Sequence, residues 1–368
     1  MSFEKRAKKI HEKAHGKITI KATIKPSTKT LKLLYTPGVA VISKLIAHDK
    51  KLADKYTGKA NRVAIVSDGS RVLGLGNVGA DAALPVMESK ALLYKVYGDV
   101  DAFPLCLKTQ DAREIIKIVK AVSPDFGAVN IEDIESPKCF EIVEKLSNAL
   151  DIPVFHDDQH GTAIVALAAT INALKLARKK LGTAKIVVMG AGAAGFGITR
   201  LLHEAGARNL YVLDSKGLIY AGRTGLNAYK KQLAKISNKK KQKGQLAETI
   251  KGADVFIGVS GRANSLYPGM ITSMNKKPIV FALTNPNPEI KPKEARRAGA
   301  FIIATGRSDF ENQVNNALVF PLLIRKMLDA KTKRVTQKLL LDTALKLSRV
   351  CKPRVGKILP HIGEIKRL

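Results

Sequence analysis

The segment Gly190-Ala191-Gly192-Ala193-Ala194-Gly195 constrains the fold more than any other in the chain. It follows an apolar run, Ile186-Val187-Val188-Met189, and opens a helical pattern from Phe196 to Glu204. A G-x-G-x-x-G between a strand and a helix is the phosphate-binding turn of a dinucleotide fold. Gly190 permits the tight turn, Gly192 lets backbone approach a pyrophosphate, and Gly195 lets helix and strand lie close. The helix N-terminus then offers free N–H groups to phosphates. Asp214 closes the next apolar run, Leu210-Tyr211-Val212-Leu213, where a ribose-binding carboxylate is expected. That carboxylate favours NAD and repels a 2′-phosphate, although Ser215 and Lys216 beside it soften the repulsion and keep NADP possible.

Further apolar runs at 255–258, 279–283 and 301–304 extend the series to five, so a doubly wound parallel sheet is expected. A second α/β region precedes it. Strands are predicted at 60–66, 128–131 and 152–155. Between the last two, Phe140, Val143, Leu146 and Leu150 mark one helical face, with Pro137 suited to a first turn. Strand, helix, strand implies a parallel crossover. The alanine-rich helix from Gly161 to Leu181 bridges the two regions, and a helical tail from about Thr336 packs back on one of them. A chain of 368 residues suits two domains, placed at 1–160 and 161–368.

Lys and Arg number 63 against 31 acids, a net +32. The basic residues are dispersed, the densest run (Lys239-Lys240-Lys241-Gln242-Lys243) reads as a solvated loop, and no stacking platform or recognition motif accompanies them. A specific nucleic-acid partner is therefore not expected, while the positive field favours an anionic substrate. Three scattered cysteines, Cys106, Cys139 and Cys351, fit a reducing compartment. With no apolar run read as a membrane span and no signal-peptide core, the expected location is the cytoplasm.

In a chain so poor in acids, Glu132-Asp133-Ile134-Glu135 and His156-Asp157-Asp158 stand out. Both follow predicted parallel strands, at the edge where open α/β sheets bind ligands. Converging carboxylates suit a hard divalent ion, Mg²⁺ or Mn²⁺. His156 and His160 are read as structural, since isolated histidines more often make internal hydrogen bonds.

Longer motifs resemble those of the malic enzyme family. They are Leu34-Tyr35-Thr36-Pro37-Gly38-Val39-Ala40, Ser67-Asp68-Gly69-Ser70-Arg71-Val72-Leu73-Gly74-Leu75-Gly76-Asn77 and Pro85-Val86-Met87-Glu88-Ser89-Lys90. Asn130 to Ile134, His156 to Thr162, Thr284 to Glu289, Gly306 to Asp309 and Gln313 to Asn316 continue the series in order. The resemblance is to the small prokaryotic type, without the C-terminal extension of longer bacterial members. Val41-Ile42-Ser43 departs from the Glu-Pro-Cys common after the tyrosine motif, and Arg71 replaces the neutral residue of many small members.

The resemblance implies oxidative decarboxylation of malate to pyruvate and carbon dioxide with reduction of NAD(P). It implies metal ligation by Glu132, Asp133 and Asp158. Lys90 is implied as base, with its pKa lowered by the metal and desolvation, Asp157 as its orienting partner and Tyr35 as the acid that protonates enolpyruvate. Arg71, Asn285 and Asn316 are implied to hold substrate, with Asn285 also at the nicotinamide ribose beside Gly190, Gly192, Gly195 and Asp214. Asn315 is an adjacent candidate. A homodimer is implied too. The alternatives are a malolactic-type enzyme releasing lactate, another dehydrogenase of this architecture, and a basic nucleic-acid binder on the same scaffold.

Overall fold

A computed structural model describes residues 1–14, 16–72 and 74–365. Leu73, part of the second resembling motif, lies outside the described residues. The chain opens with helices α1 (Phe3–Ala14), α2 (Thr28–Leu34), α3 (Val39–His48) and the single turn α4 (Ala53–Tyr56). The first sheet follows as β1 (Arg62–Ser67), α5 (Gly79–Gly98), β2 (Asp101–Cys106), α6 (Ala112–Val122), β3 (Ala128–Ile131), α7 (Lys138–Ala149) and β4 (Val154–His156). Its order is β2-β1-β3-β4, and every pairing is parallel.

β2, which contains Pro104, was not singled out in the sequence. It sits at the sheet edge and pairs only with β1, where the missing N–H breaks no ladder on the outer side. The helix expected at 137–150 is α7, which follows Pro137 and lies between β3 and β4 in the chain.

Beyond β4, a π-helical turn, Asp157–Gly161, runs into α8 (Thr162–Ala177). Then come β5 (Lys185–Met189), α9 (Ala193–Glu204), β6 (Asn209–Asp214), β7 (Gly217–Leu218), β8 (Val255–Gly258), β9 (Ile279–Ala282) and β10 (Ile302–Thr305). The order is β10-β9-β8-β5-β6-β7, parallel except for the β6–β7 hairpin. The strand order reverses beside β5, which is where such sheets open a ligand crevice.

α8 is buried on nearly every face, from Ala163 to Ala177. A helix apolar all round is a core helix. It packs on α9 and on the C-terminal helix Gln337–Arg349, which buries Leu340, Ala344 and Leu347. One apolar core therefore runs from the first sheet through α8 to one face of the second. Each large aliphatic side chain in it contributes about 1.5–3 kcal/mol of burial.

Two 21-residue stretches, Thr28–His48 and Asp157–Ala177, are long and apolar enough to meet the length and composition of a membrane span, which the sequence reading did not register. The second is mostly buried inside the fold. The first is interrupted, because Tyr35 leaves helical geometry at the end of α2.

Candidate active site

β3 and β4 are adjacent, with Ile131 opposite His156. The next residues of each strand, Glu132-Asp133 and Asp157-Asp158, therefore leave the sheet side by side. Oxygens of Glu132, Asp133 and Asp158 all lie within 4.8 Å of one another. The Asp133 N–H donates to Asp158 Oδ2 at 3.1 Å. This bond becomes possible because Asp133 adopts a left-handed turn (φ 51°).

Lys90 reaches this cluster from α5. Its ammonium donates to Glu132 Oε1 at 2.8 Å and to Asp157 Oδ2, and it lies 4.0 Å from the centre of the Phe320 ring. Asn130, two residues before Glu132 and so on the same strand face, donates from Nδ2 to Glu132 Oε2 at 2.9 Å. Tyr94, one turn after Lys90, donates to Asn130 Oδ1 at 3.0 Å. Asn130 and Tyr94 were not singled out as site residues. The same-face spacings 90/94 and 130/132 were the available signal.

Burial works against the Lys90 charge, but Asp157 and Glu132 outweigh it, and the ammonium is held above its ordinary range. The lowering expected of this lysine concerns the metal-loaded site; Asp157, its expected partner, does contact the ammonium, and Glu132 joins it. Burial likewise pushes Glu132 well up. Lys90 opposes that rise, and Asp158, Asp157 and Asp133 add to it. Asp157 is fully buried, and its second oxygen, Oδ1, has no partner among the described residues. A Cβ at position 161 would fall 1.9 Å from that oxygen, so the Asp157 carboxylate would have to turn to admit it.

His160 Nδ1 accepts the His156 N–H at 3.1 Å. Burial and the neighbouring His156 bring His160 down to about 3, so it is neutral and serves the turn.

At the second sheet, Gly190 has φ 120°, and a Cβ on Gly195 falls 1.8 Å from Gly190 O. A Cβ on Gly192 meets only Ser136 Oγ, at 3.4 Å, so this glycine faces nearly open space. α9 starts here with its N-terminal amides toward the cleft, and a cleft of about 700 Å³ is lined by Gly190 to Ala194. The same cleft is lined by Arg71, Asp133, Asp158, Asp214, Asn285, Asn315 and Asn316. It thus joins the carboxylate edge of one sheet to the glycine turn of the other.

The Asn285 and Asn316 amides make no side-chain hydrogen bond among the described residues. Asn315 is tied to Gly306 O and Ala317 N. Lys90 is buried behind the carboxylates and does not line the cleft. Tyr35 is 70% exposed and is not brought to the cleft in its own chain.

Asp214 is more engaged than the sequence reading allowed. Its Oδ2 accepts from Arg223 and, at 2.7 Å, from Lys230, while Oδ1 accepts the Lys216 N–H at 2.9 Å. Burial would raise this carboxyl, but the two cations and the amide hold it down at about 2. Arg223 and Lys230 were missed as site residues because only the turn after β6 brings them back onto the strand end.

The residues present fit a divalent ion and a dinucleotide. Three clustered oxygen donors, with Glu132 pushed up by burial and then by its neighbouring carboxylates, suit a hard cation. The side-chain-free face at Gly192 suits a phosphate.

The profile described as malic enzyme, NAD binding domain, matches residues 159–368, and that of the malic enzyme N-terminal domain matches 12–147. The bifunctional malic/malolactic enzyme of Bacillus subtilis is 50% identical, over 92% of this chain and 83% of that protein. The NAD-dependent malic enzyme of Geobacillus stearothermophilus is 48% identical, over 91% of this chain and 70% of that one. The crystal structure of the NAD-dependent malic enzyme from Thermotoga maritima superposes with a TM-score of 0.94 at 47% identity, covering 97% of this chain and 95% of that one.

Proposed function

The chain belongs to the malic enzyme family, and from that premise we propose that it oxidises malate and decarboxylates the product to pyruvate, with NAD preferred and NADP accepted. The single observation that carries this reading is a cleft lined both by Asp133 and Asp158 of the carboxylate cluster and by the glycine turn. In this reading residues 1–160 supply the substrate and metal half, and 161–368 the dinucleotide half.

Glu132, Asp133 and Asp158 would hold Mg²⁺ or Mn²⁺, which would supply Lewis acidity to the substrate, and the nicotinamide would supply the hydride acceptor. Arg71 pairs with a substrate carboxylate. Asn285 and Asn316, with uncommitted amides, orient the substrate and the ribose. Lys90 handles the C2 hydroxyl proton, and Asp157 fixes its ammonium in place. Tyr35 delivers the proton to C3 once carbon dioxide has left. The preference for NAD rests on the remaining lone pair of Asp214, and the tolerance of NADP rests on Lys230 beside it.

One relative carries malolactic in its name, so lactate as product is the second reading. A coupled assay with malate, each cofactor and each metal, following NAD(P)H together with pyruvate and lactate, separates the two. Pyruvate with stoichiometric NAD(P)H and loss of turnover in EDTA is the expected result. Lactate without net NADH supports the second reading, and full activity in metal-free buffer overturns the metal assignment.

A further inference from the structure

Glu289 is a carboxylate that the chemistry above leaves unused. It is fully buried and does not line the cleft. Burial raises this carboxyl, and hydrogen bonds from the Thr284 side chain, from its own N–H and from the Thr284 and Ser260 N–H groups oppose the rise. A charge is costly to bury, and one that gathers this many donors clamps the segments that supply them.

Those donors come from two segments. Thr284 follows β9. Its hydroxyl donates to Glu289 Oε1 at 2.5 Å and its N–H to Oε2 at 3.2 Å. Ser260 and Gly261 follow β8, and the Gly261 N–H donates to the same Thr284 hydroxyl at 3.1 Å. A hydroxyl carries one proton, so with Gly261 donating in, that proton goes to the carboxylate. The order Gly261, Thr284, Glu289 is thereby fixed. The carboxyl also lies against the end of β8, where a Cβ on Gly258 falls 2.3 Å from Glu289 Cδ.

Both segments line the cleft. Asn285 directly follows Thr284. Arg71 reaches Gly261 from the first half of the chain: a Cβ on Gly261, which has φ 73°, falls 2.6 Å from Arg71 Nη2, so the guanidinium rests on that backbone. The Glu289 main chain is held separately, because Leu266 N–H donates to Glu289 O at 3.0 Å and Asn264 N–H to Pro288 O at 3.2 Å. Changing the Glu289 side chain therefore leaves its backbone anchored.

Resting on the function proposed above, in which Arg71 and Asn285 hold substrate, we propose that Glu289, acting through Thr284, is a positioning residue that sets the distance between Arg71 and Asn285 and with it the grip on the dicarboxylate.

The test compares Thr284→Val, Thr284→Ser and Glu289→Gln by initial rates, with malate varied, cofactor and metal saturating, and a thermal melt as folding control. Valine keeps the shape of threonine and loses the hydroxyl. Glutamine keeps one acceptor but turns an NH₂ toward amides that themselves donate. A misplacement of about 1 Å costs on the order of a hundredfold, and this link loses one bond of several, so KM for malate is expected to rise about tenfold in both, with kcat falling less. Thr284→Ser retains the hydroxyl and is expected close to wild type. Wild-type KM in folded Thr284→Val and Glu289→Gln overturns the proposal. So does a rise in Thr284→Val alone, which makes Thr284 a direct substrate contact, or a Thr284→Ser as weak as Thr284→Val, which makes methyl packing the cause. Should Glu289→Gln not fold, Glu289→Asp, one methylene short of Thr284, takes its place.

Hydrogen exchange over residues 259–265 reads the link without any activity. Faster exchange in Thr284→Val than in wild type and Thr284→Ser supports it, and equal exchange in all three overturns it. A wild-type chain that does not turn over malate refutes only the proposed function, and hydrogen exchange then decides the link.

Discussion

Asp214→Asn tests how the far end of the cleft chooses between NAD and NADP. The substitution keeps an acceptor for the Lys216 N–H and removes the charge that Arg223 and Lys230 neutralise. Lys230 lines the cleft and its side chain is 27% exposed, so it is placed to meet a 2′-phosphate once its counter-ion is gone. A hydrogen bond to a charged group contributes about 1.5–3 kcal/mol, and partial exposure puts this one near the lower end. At about 1.4 kcal/mol per decade, kcat/KM for NADP rises about tenfold. NAD loses its acceptor for the ribose hydroxyl and falls by a few-fold to about tenfold. The ratio of the two therefore shifts by about thirty- to a hundredfold toward NADP. The assay is initial rates with malate and metal saturating and each cofactor varied, with a thermal melt as a folding control. Because the carboxyl is held at about 2, it stays charged from the unfolded value near 4 upward, and the clamp is lost only as pH falls through about 2. The wild-type ratio should accordingly be flat across neutral pH. An unchanged ratio in a folded Asp214→Asn protein refutes the assignment of Asp214 and Lys230 to cofactor choice.

Asp158→Asn should abolish malate turnover while NAD binding, followed by nucleotide fluorescence or calorimetry, stays within a few-fold of wild type; parallel loss of both in a folded protein means the two ends of the cleft are not separable. Lys90→Ala should lower malate oxidation by about a hundred- to ten-thousandfold yet still decarboxylate added oxaloacetate, whereas Tyr35→Phe should tautomerise enolpyruvate poorly with less effect on hydride transfer, as rates of each partial reaction will tell. Gly161→Ala places a methyl against Asp157 and should cost activity on the scale of Asp157→Ala; wild-type rates there would show that the contact does not constrain Lys90. Burial pushes Cys106 up to about 11, so its thiolate appears only as pH climbs toward that value, and iodoacetamide at pH 8 should label it far more slowly in the native chain than in urea.

Short-range patterns determined a good part of this protein on their own. The glycine turn, its flanking strand and helix, and the acidic strand ends were legible because each depends on residues close in sequence and on the parallel register of consecutive units. That register is why Glu132 and Asp158, 26 positions apart by number, were expected together. The two histidines were read as structural for the same local reason, and His160 indeed accepts a backbone N–H four residues away. Other properties came only from the tertiary structure. β2, with Pro104 inside it, was not singled out in the sequence, and the sheet places it at an edge, where a missing N–H is tolerated. Asp157 was expected beside Lys90 from the resemblance, but only the packing of α5 over β3 and β4 sets Glu132 against it as well, and ion pairing and hydrogen bonds to the two carboxylates together outweigh burial. Asp214 looked like a free ribose acceptor, yet a hairpin turn and the following helix return Arg223 and Lys230 to it from nine and sixteen residues away. Tyr35 sits in a motif that reads as catalytic, but in its own fold it faces solvent. Charge pairing and the exposure of Tyr35 depend on which distant surfaces meet, and no periodicity within a segment encodes that.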